Sequence, residues 1–305
     1  MIERTRENVY HDDFSECNQP FYFYQFAEML AESGMQYISE AEEGVSNTGT
    51  LSPEALGMLD SVASDLIERE QYLDFIRCRR FRSTLFCRKD IALDRNYLRD
   101  HADEFYFAGR MRYEEAPPTV DSDDPETFLG PTSEKVKCNH PLTKAAIRYL
   151  SDQWTRSVRF DELIEGSVER YRLAAGSKTE ADVARTRDFL IELFRVGMFR
   201  VRVTPSPGVA QGGSKPTASR FARWQIERGS RSVMTLTGLS LEVDDDIARL
   251  IIILADGTRD RDELVRAVIE NLEAPKGDKN EFRAMVTDRV ELNLRILGTN
   301  GLLEA

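Results

Sequence analysis

"HPLTKAAIRYLSDQWTRSVRFDELIEGSVERY", residues 140–171, decides how the second half of the chain is read. Apolar residues at helical spacing come first, then a polar turn, then a second helix that opens with Asp161-Glu162-Leu163. "DFLIELFRVGMFRV", residues 188–201, adds a third helix that breaks at Gly197 and passes into apolar residues. The same order returns further on. "VDDDIARLIIILADGTRDRDELVRAVIENL" (243–272) holds an apolar helix, a polar turn and a helix opening with Asp262-Glu263-Leu264. "ELNLRILGTNGLLEA" (291–305) closes it through Gly301. Three helices ending in a short strand or hairpin is a winged-helix pattern, and the sequence carries it twice.

Outward from this pair, two stretches rich in proline, glycine or acid divide the chain. "EEAPPTVDSDDPETFLGPTSEK" (114–135) reads as an acidic loop. "TPSPGVAQGGSKPTAS" (204–219) reads as a flexible break. The expected organisation is a module over 1–115, a linker over 116–139, and a winged-helix-like module over 140–204. A flexible linker over 205–218 and a second winged-helix-like module over 219–305 follow.

The first third alternates helices and strands. In "NQPFYFYQFAEMLAESGMQYISEAE" (18–42), Asn18 and Pro20 are helix-start signals. Phe23, Phe26, Ala27 and Leu30 then fall on one helical face, and Gly34 suits a left-handed cap. "MQYI" alternates as a short strand, so the aromatics read as core rather than as a stacking surface. Ser52 before Pro53 starts another helix, and "RSTLFCRK" (82–89) alternates as a strand. The fold class expected is α+β: a mixed N-terminal module followed by two mainly helical ones.

Composition sets bounds on function. The chain has 305 residues, 41% hydrophobic and 31% charged, with formal net charge −12. Such a balance belongs to a folded chain and disfavours a duplex-binding role, which needs a basic footprint. The longest apolar run, "LIIILA" (250–255), is too short to span a bilayer. The N-terminus shows no apolar signal-peptide core. Cys17, Cys78, Cys87 and Cys138 have no C-x-x-C spacing and read as reduced thiols, which places the expected chain in the cytoplasm.

A search for chemistry finds no catalytic residue and no metal ligand set. His11-Asp12-Asp13 reads as a solvated cap, and Cys138 with His140 does not by itself set nucleophile–base geometry. No G-x-G and no Walker loop occurs, which argues against a self-contained dinucleotide-type cofactor domain. The local basic feature is "RCRRFRSTLFCRK" (77–89). Arg79, Arg80 and Arg82 are its candidate partner-binding residues, a face that can dock an acidic surface. The acids of "EREQYLD" just upstream allow the plainer reading of a salt-bridged face.

The residues then carry a family signature. "YHDDFSECNQPFYFYQFAEMLAESGMQYISEAE" and "EQYLDFIRCRRFRSTLFCRKDIALDR", over roughly residues 8–95, resemble the predicted methyltransferase regulatory domain of prokaryotes. "LADGTRDRDELV" resembles the winged-helix region that follows it in bacterial protein-lysine methyltransferases. In that family the regulatory domain usually follows a class I S-adenosylmethionine-dependent catalytic domain. The resemblance therefore implies a regulatory or substrate-holding role in methylation, exerted by protein–protein contact and without catalysis by this chain alone. It implies no cofactor in this chain, with S-adenosylmethionine held by a partner or missing catalytic domain. Expected partners are that domain and a protein substrate, with a second copy of the chain also admitted and nucleic acid and membrane disfavoured. The rival reading is a winged-helix DNA-binding regulator, weakened by the acids interleaved with Arg185, Arg187 and Arg195.

Overall fold

The computed structural model describes residues 16, 19–41, 51–114, 119–131, 133–174, 176, 178–206, 208–210, 212–272 and 278–304. Two compact units emerge, Met1–Arg95 and Asn96–Ala305. Small antiparallel sheets lie among many helices, a mixed α+β architecture with winged-helix structure. His11, Asp12, Asp13, Cys17 and Asn18 lie outside the described residues.

In the first unit, α1 (Phe23–Glu32) leads through Gly34, at φ +72°, into β1 (Met35–Glu40). The helix begins three residues after Pro20, because Tyr22 is still extended and its N–H is satisfied by the Gln25 side chain at 3.0 Å. Helix α2 (Pro53–Val62) is capped by Ser52, and α3 (Leu66–Arg77) by Asp65. Strand β2 (Thr84–Arg88) pairs antiparallel with β1, from Met35 opposite Arg88 to Glu40 opposite Thr84. Phe23, Leu30, Tyr37, Leu59 and Leu73 are buried between these elements. Phe26 is only half-buried, while Phe21, Tyr22 and Tyr24 are exposed. The expectation that the aromatics as a group form core therefore holds for one face only. The helix cannot turn neighbouring rings the same way at 100° per residue.

The second unit opens with the short helix α4 (Tyr97–Asp100) and β3 (Tyr106–Ala108). It continues with β4 (Arg112–Tyr113), β5 (Glu126–Leu129) and β6 (Lys135–Cys138), which form an antiparallel meander. Part of the stretch expected to be a linker is thus sheet. "ETFL" and "KVKC" have the period of two that buries Phe128 completely and Val136 partly. Helices α5 (Pro141–Gln153), α6 (Phe160–Tyr171) and α7 (Glu180–Arg195) follow, with β7 (Val158–Arg159) after α5 and β8 (Arg200–Arg202) after α7. Strand β3 sits between β7 and β8, so the segment expected to close the first module completes this one.

The C-terminal module repeats the arrangement. Strand β9 (Thr217–Ala218) is followed by α8 (Arg220–Glu227) and the hairpin β10 (Ser232–Met234) and β11 (Ser240–Glu242). Then come α9 (Asp246–Leu254), α10 (Arg261–Glu270), α11 (Lys279–Thr299) and β12 (Leu303–Glu304). Strand β9 lies between β12 and a bridge to Asp256, as β3 lies between β8 and β7. In both modules the central strand precedes the first long helix, and an insert separates the two: the meander in one, α8 with its hairpin in the other. The 204–219 stretch is anchored rather than free. Val209 N–H donates to the Leu303 carbonyl at 3.0 Å, and the Ala210 carbonyl lies where a Cβ on Gly298 would be, 2.0 Å away. Two apolar cores result, one around Phe107, Phe128, Leu150 and Leu190, the other around Ile251, Leu264, Val290 and Leu303.

Candidate functional site

The arginine run occupies the turn from α3 to β2. Helix α3 ends at Cys78, which is left-handed at φ 49°, so the chain reverses and Arg79 N–H returns to the Asp74 carbonyl. The strand begins only at Thr84. Arg79 and Arg82, three apart, therefore turn inward together, while Arg80 is exposed. Arg79, Arg80 and Arg82, expected to form one partner-binding face, are thus divided between the inside and the surface. The left-handed cap delays the strand and changes which residues share a face.

The inward arginines meet three carboxylates. Glu70 and Asp74 are four apart on α3 and so lie on the same side of it. Arg82 Nε donates to Asp74 Oδ2 at 2.9 Å, its Nη1 to Glu40 Oε1 at 2.6 Å, and its Nη2 to Glu70 Oε2 at 3.0 Å. Arg79 stands 3.2 Å from Asp74 and 3.6 Å from Glu70. The Arg82 guanidinium also covers the Phe23 ring, 3.7 Å from its centroid. Only 12% of the Arg82 side chain, 3% of Glu40 and 5% of Glu70 is exposed. Burial works against the charge on Arg82, yet its bonds to Asp74, with Glu40 and Glu70 alongside, raise its pKa above the ordinary value. The Tyr37 hydroxyl is pushed up to about 12, first by burial and then by Glu70 and Glu40.

Above this network opens a pocket of about 300 Å³, walled by Phe21, Phe23, Phe26 and Thr84, with Arg80 on its rim. Asp74 and Arg82 are already committed to each other. What the pocket offers a ligand is the exposed Phe21 ring and the Arg80 guanidinium, which has no ion-pair partner among the described residues. Those groups suit a carboxylate next to an apolar or planar surface. The residues that sequence reasoning missed are Glu40 and Phe23 as partners of Arg82. Nothing local marks Glu40, which reaches Arg82 across 42 positions of sequence through the β1–β2 pairing.

The remaining sequence candidates lie in the second unit. His140 points one ring nitrogen at Thr143 Oγ1, 2.7 Å away, and the other at Asp182 Oδ1, 3.0 Å away. Cys138 donates instead to the His140 carbonyl at 3.8 Å, and burial pushes its thiol pKa up, the opposite of an activated nucleophile. No cluster of three or more His, Cys, Asp or Glu suited to a metal occurs among the described residues. Among them, too, no helix is long and apolar enough to cross a membrane.

The chain is similar to two uncharacterized proteins of Rickettsia prowazekii (strain Madrid E). RP789 is 27% identical over 168 residues, 53% of this chain and 30% of the relative. RP027 is 21% identical over 218 residues, 66% of this chain and 82% of the relative. Among solved structures, PKMT2 from Rickettsia typhi matches 99% of this chain with a TM-score of 0.82 at 21% identity. A structure of the same protein in complex with AdoHcy matches equally, also at 0.82 and at 22% identity. At such identities the likeness establishes the fold. This chain spans 62% of the PKMT2 chain and 30% of RP789. The expectation of no cofactor is corrected by the AdoHcy complex, a property of the neighbour, of whose chain this one spans 61%. Absence of a glycine-rich loop tests one way of binding an adenosyl group, through close backbone approach, and leaves aromatic and carboxylate-based binding untouched. Family models place a predicted methyltransferase regulatory domain at residues 5–88 and a PKMT C-terminal winged helix domain at residues 214–302 of this chain.

Proposed function

We propose that this chain acts within an S-adenosylmethionine-dependent methyltransferase directed at protein, as its regulatory and substrate-holding part. The observation that carries the reading is the fold correspondence with PKMT2 over 99% of the chain, with a regulatory-domain match at one end and a winged-helix match at the other. The AdoHcy complex of that neighbour supports an S-adenosyl ligand in whose binding this chain takes part. The first unit packs on the catalytic domain, and Arg80, at the rim of the pocket over the Arg82 network, holds a carboxylate there. Arg79 and Arg82 serve that contact by fixing the turn that presents Arg80. The winged-helix modules meet the protein substrate or another subunit.

The DNA-regulator reading loses support from the pairing on α7. Arg185 donates to Asn139 at 3.2 Å, Arg195 pairs with Glu192 at 2.6 Å, and Asp188 pairs with Arg99 at 2.7 Å. A helix whose cations are shared with neighbours offers no stripe for phosphates. The test is calorimetric titration of the chain with AdoHcy, together with transfer of labelled methyl groups to protein by the catalytic domain with and without this chain. Heat of binding and altered methyl transfer are expected. A chain that neither binds AdoHcy nor changes transfer refutes the proposal.

A further inference from the structure

The first half of the insert between β9 and α9, from Arg220 to Arg231, has a charge opposite to that of the chain. It holds Arg220, Arg223, Arg228 and Arg231 against the single acid Glu227, in a protein of net charge −12. Helix α8 packs inward through Ala222 and Ile226, which are buried in the C-terminal core. Its outer face carries Phe221, 51% exposed, and Trp224, 47% exposed. Their rings are stacked at 5.6 Å with 14° between planes, and the Arg228 guanidinium lies 4.7 Å from the Trp224 ring. The adjoining hairpin exposes Met234 and Leu239. Arg220, Arg228 and Arg231 are exposed and form no ion pair among the described residues. Elsewhere in the module Arg259, Arg261 and Arg289 each have a carboxylate partner, while Arg266, Arg283 and Arg295 are exposed without one among the described residues, so it is the ring stack beside them that sets the α8 arginines apart.

Two rings and three unpaired guanidinium groups at one surface are not needed to hold the helix, since its small and aliphatic residues do the packing. Aromatic residues and arginine are instead the types that anchor interfaces. We propose that this face of α8 and its hairpin docks an acidic segment of a partner protein, one that carries aromatic or leucine side chains among its carboxylates. The planar forks of Arg228 and Arg231 match carboxylates with paired hydrogen bonds, and the Phe221–Trp224 stack receives the apolar side chains. Charge decides against larger polyanions. Glu242 and Asp244 are exposed just beyond Arg231, because β11 returns antiparallel to β10 and brings Val243 to the Arg231 carbonyl. A nucleic-acid strand or an anionic bilayer extends past the arginines onto those acids. A short segment meets the arginines alone.

The experiment uses the full chain and a fluorescein-labelled synthetic peptide in which glutamates flank two phenylalanines, read by anisotropy and by tryptophan emission, with a Trp154→Phe variant isolating the signal of Trp224. A lysine-for-glutamate version of the peptide, oligothymidylate and phosphatidylserine vesicles are titrated alongside. The glutamate peptide is expected to bind, and the lysine version not to. The Arg228→Glu/Arg231→Glu variant should weaken binding by at least roughly tenfold, since like charges are then juxtaposed. Phe221→Ala/Trp224→Ala should weaken it without changing the melting temperature. Equal binding of both peptides, no binding of the glutamate peptide, or undiminished binding by the charge-reversed variant overturns the proposal. So does tighter binding of the oligonucleotide or the vesicles through the same arginines. Read by anisotropy, the peptide comparison needs no variant, so a misfolded variant does not leave the question open.

Discussion

Replacing Arg82 by alanine should unfold the first unit more readily than replacing Arg80, although both belong to one basic run. Arg82 makes its shortest contacts to three different carboxylates, at 2.6, 2.9 and 3.0 Å. Glu40 and Glu70 are almost wholly buried. Without the guanidinium those carboxylates face one another with only part of their compensation, since Arg79 reaches Glu70 and Asp74 from one side. Breaking a buried pair by removing one partner costs about 3–5 kcal/mol. Loss of the contact over Phe23 adds about 0.5–1 kcal/mol. For a unit of this size each kcal/mol lowers the melting temperature by about 4–8 °C, so the low end of the range is a fall of about 12 °C. Arg80→Ala, at an exposed site, should stay within about 0.5 kcal/mol of the parent protein. Arg82→Lys should recover only part of the loss, because a single ammonium cannot fork among three acceptors. Thermal and urea unfolding followed by circular dichroism, with hydrogen exchange on β1 and β2, makes the measurement. A double-mutant cycle with Glu40→Gln isolates the shared contact. If Arg80→Ala and Arg82→Ala cost the same, the network is not what holds the turn.

Phe23→Ala, at a site 3% exposed and packed edge-on to Tyr37 at 5.1 Å, should cost about 3–5 kcal/mol, and Phe26→Ala less because that ring is half-buried; the two melting curves decide it. Gly298→Ala should destabilise the C-terminal module by about 1–3 kcal/mol or more, since its Cβ would fall 2.0 Å from the Ala210 carbonyl oxygen. Gly57→Ala, inside α2 with nothing within 4 Å of the new Cβ, should instead stabilise by about 0.4–1 kcal/mol in the same unfolding assay. The Thr179 hydroxyl and then the His140 ring hold the Asp182 carboxyl down to about 2. Its folded pKa lies below the unfolded value of about 3.9, so its contribution is complete above that value and is lost as pH falls through about 2. Denaturant midpoints measured from about pH 5 down to about pH 2 should therefore fall less steeply for Asp182→Asn than for the parent protein.

The long helices were legible because their cause is local. Thr179 and Asp182, or Asp260 and Glu263, close reciprocal caps within four residues, and apolar spacing does the rest. The meander was not legible, because its prolines and acids dominate the composition of 114–135 while its strands are only two to four residues long. What holds that segment lies outside it. Phe128 is buried against the α5 core, and Lys144 on α5, fully buried, donates to the Ser122 and Asp124 carbonyls at 2.7 and 3.0 Å. A lysine inside a helical apolar face reads in sequence as an interruption. In the fold it is the group that satisfies the backbone of an acidic loop.

The site divides along the same line. Six cations within thirteen residues were visible as a charge, but the directions of Arg79, Arg80 and Arg82 followed from one backbone conformation, the left-handed Cys78, which is not a residue type that announces such a geometry. That turn sends Arg79 and Arg82 to α3 and leaves Arg80 outside. The carboxylates on α3 were within reach of sequence reasoning, as acids just upstream at helical spacing. Glu40 was not, because only the β1–β2 register brings it under Arg82. The contrast with α8 follows from the same physics. Its arginines find no such register partner among the described residues, so the cations that the sequence displays there stay at the surface. Of the two arginine clusters, the one buried by pairing fixes the fold, and the one left unpaired beside exposed rings is the better place to look for a partner.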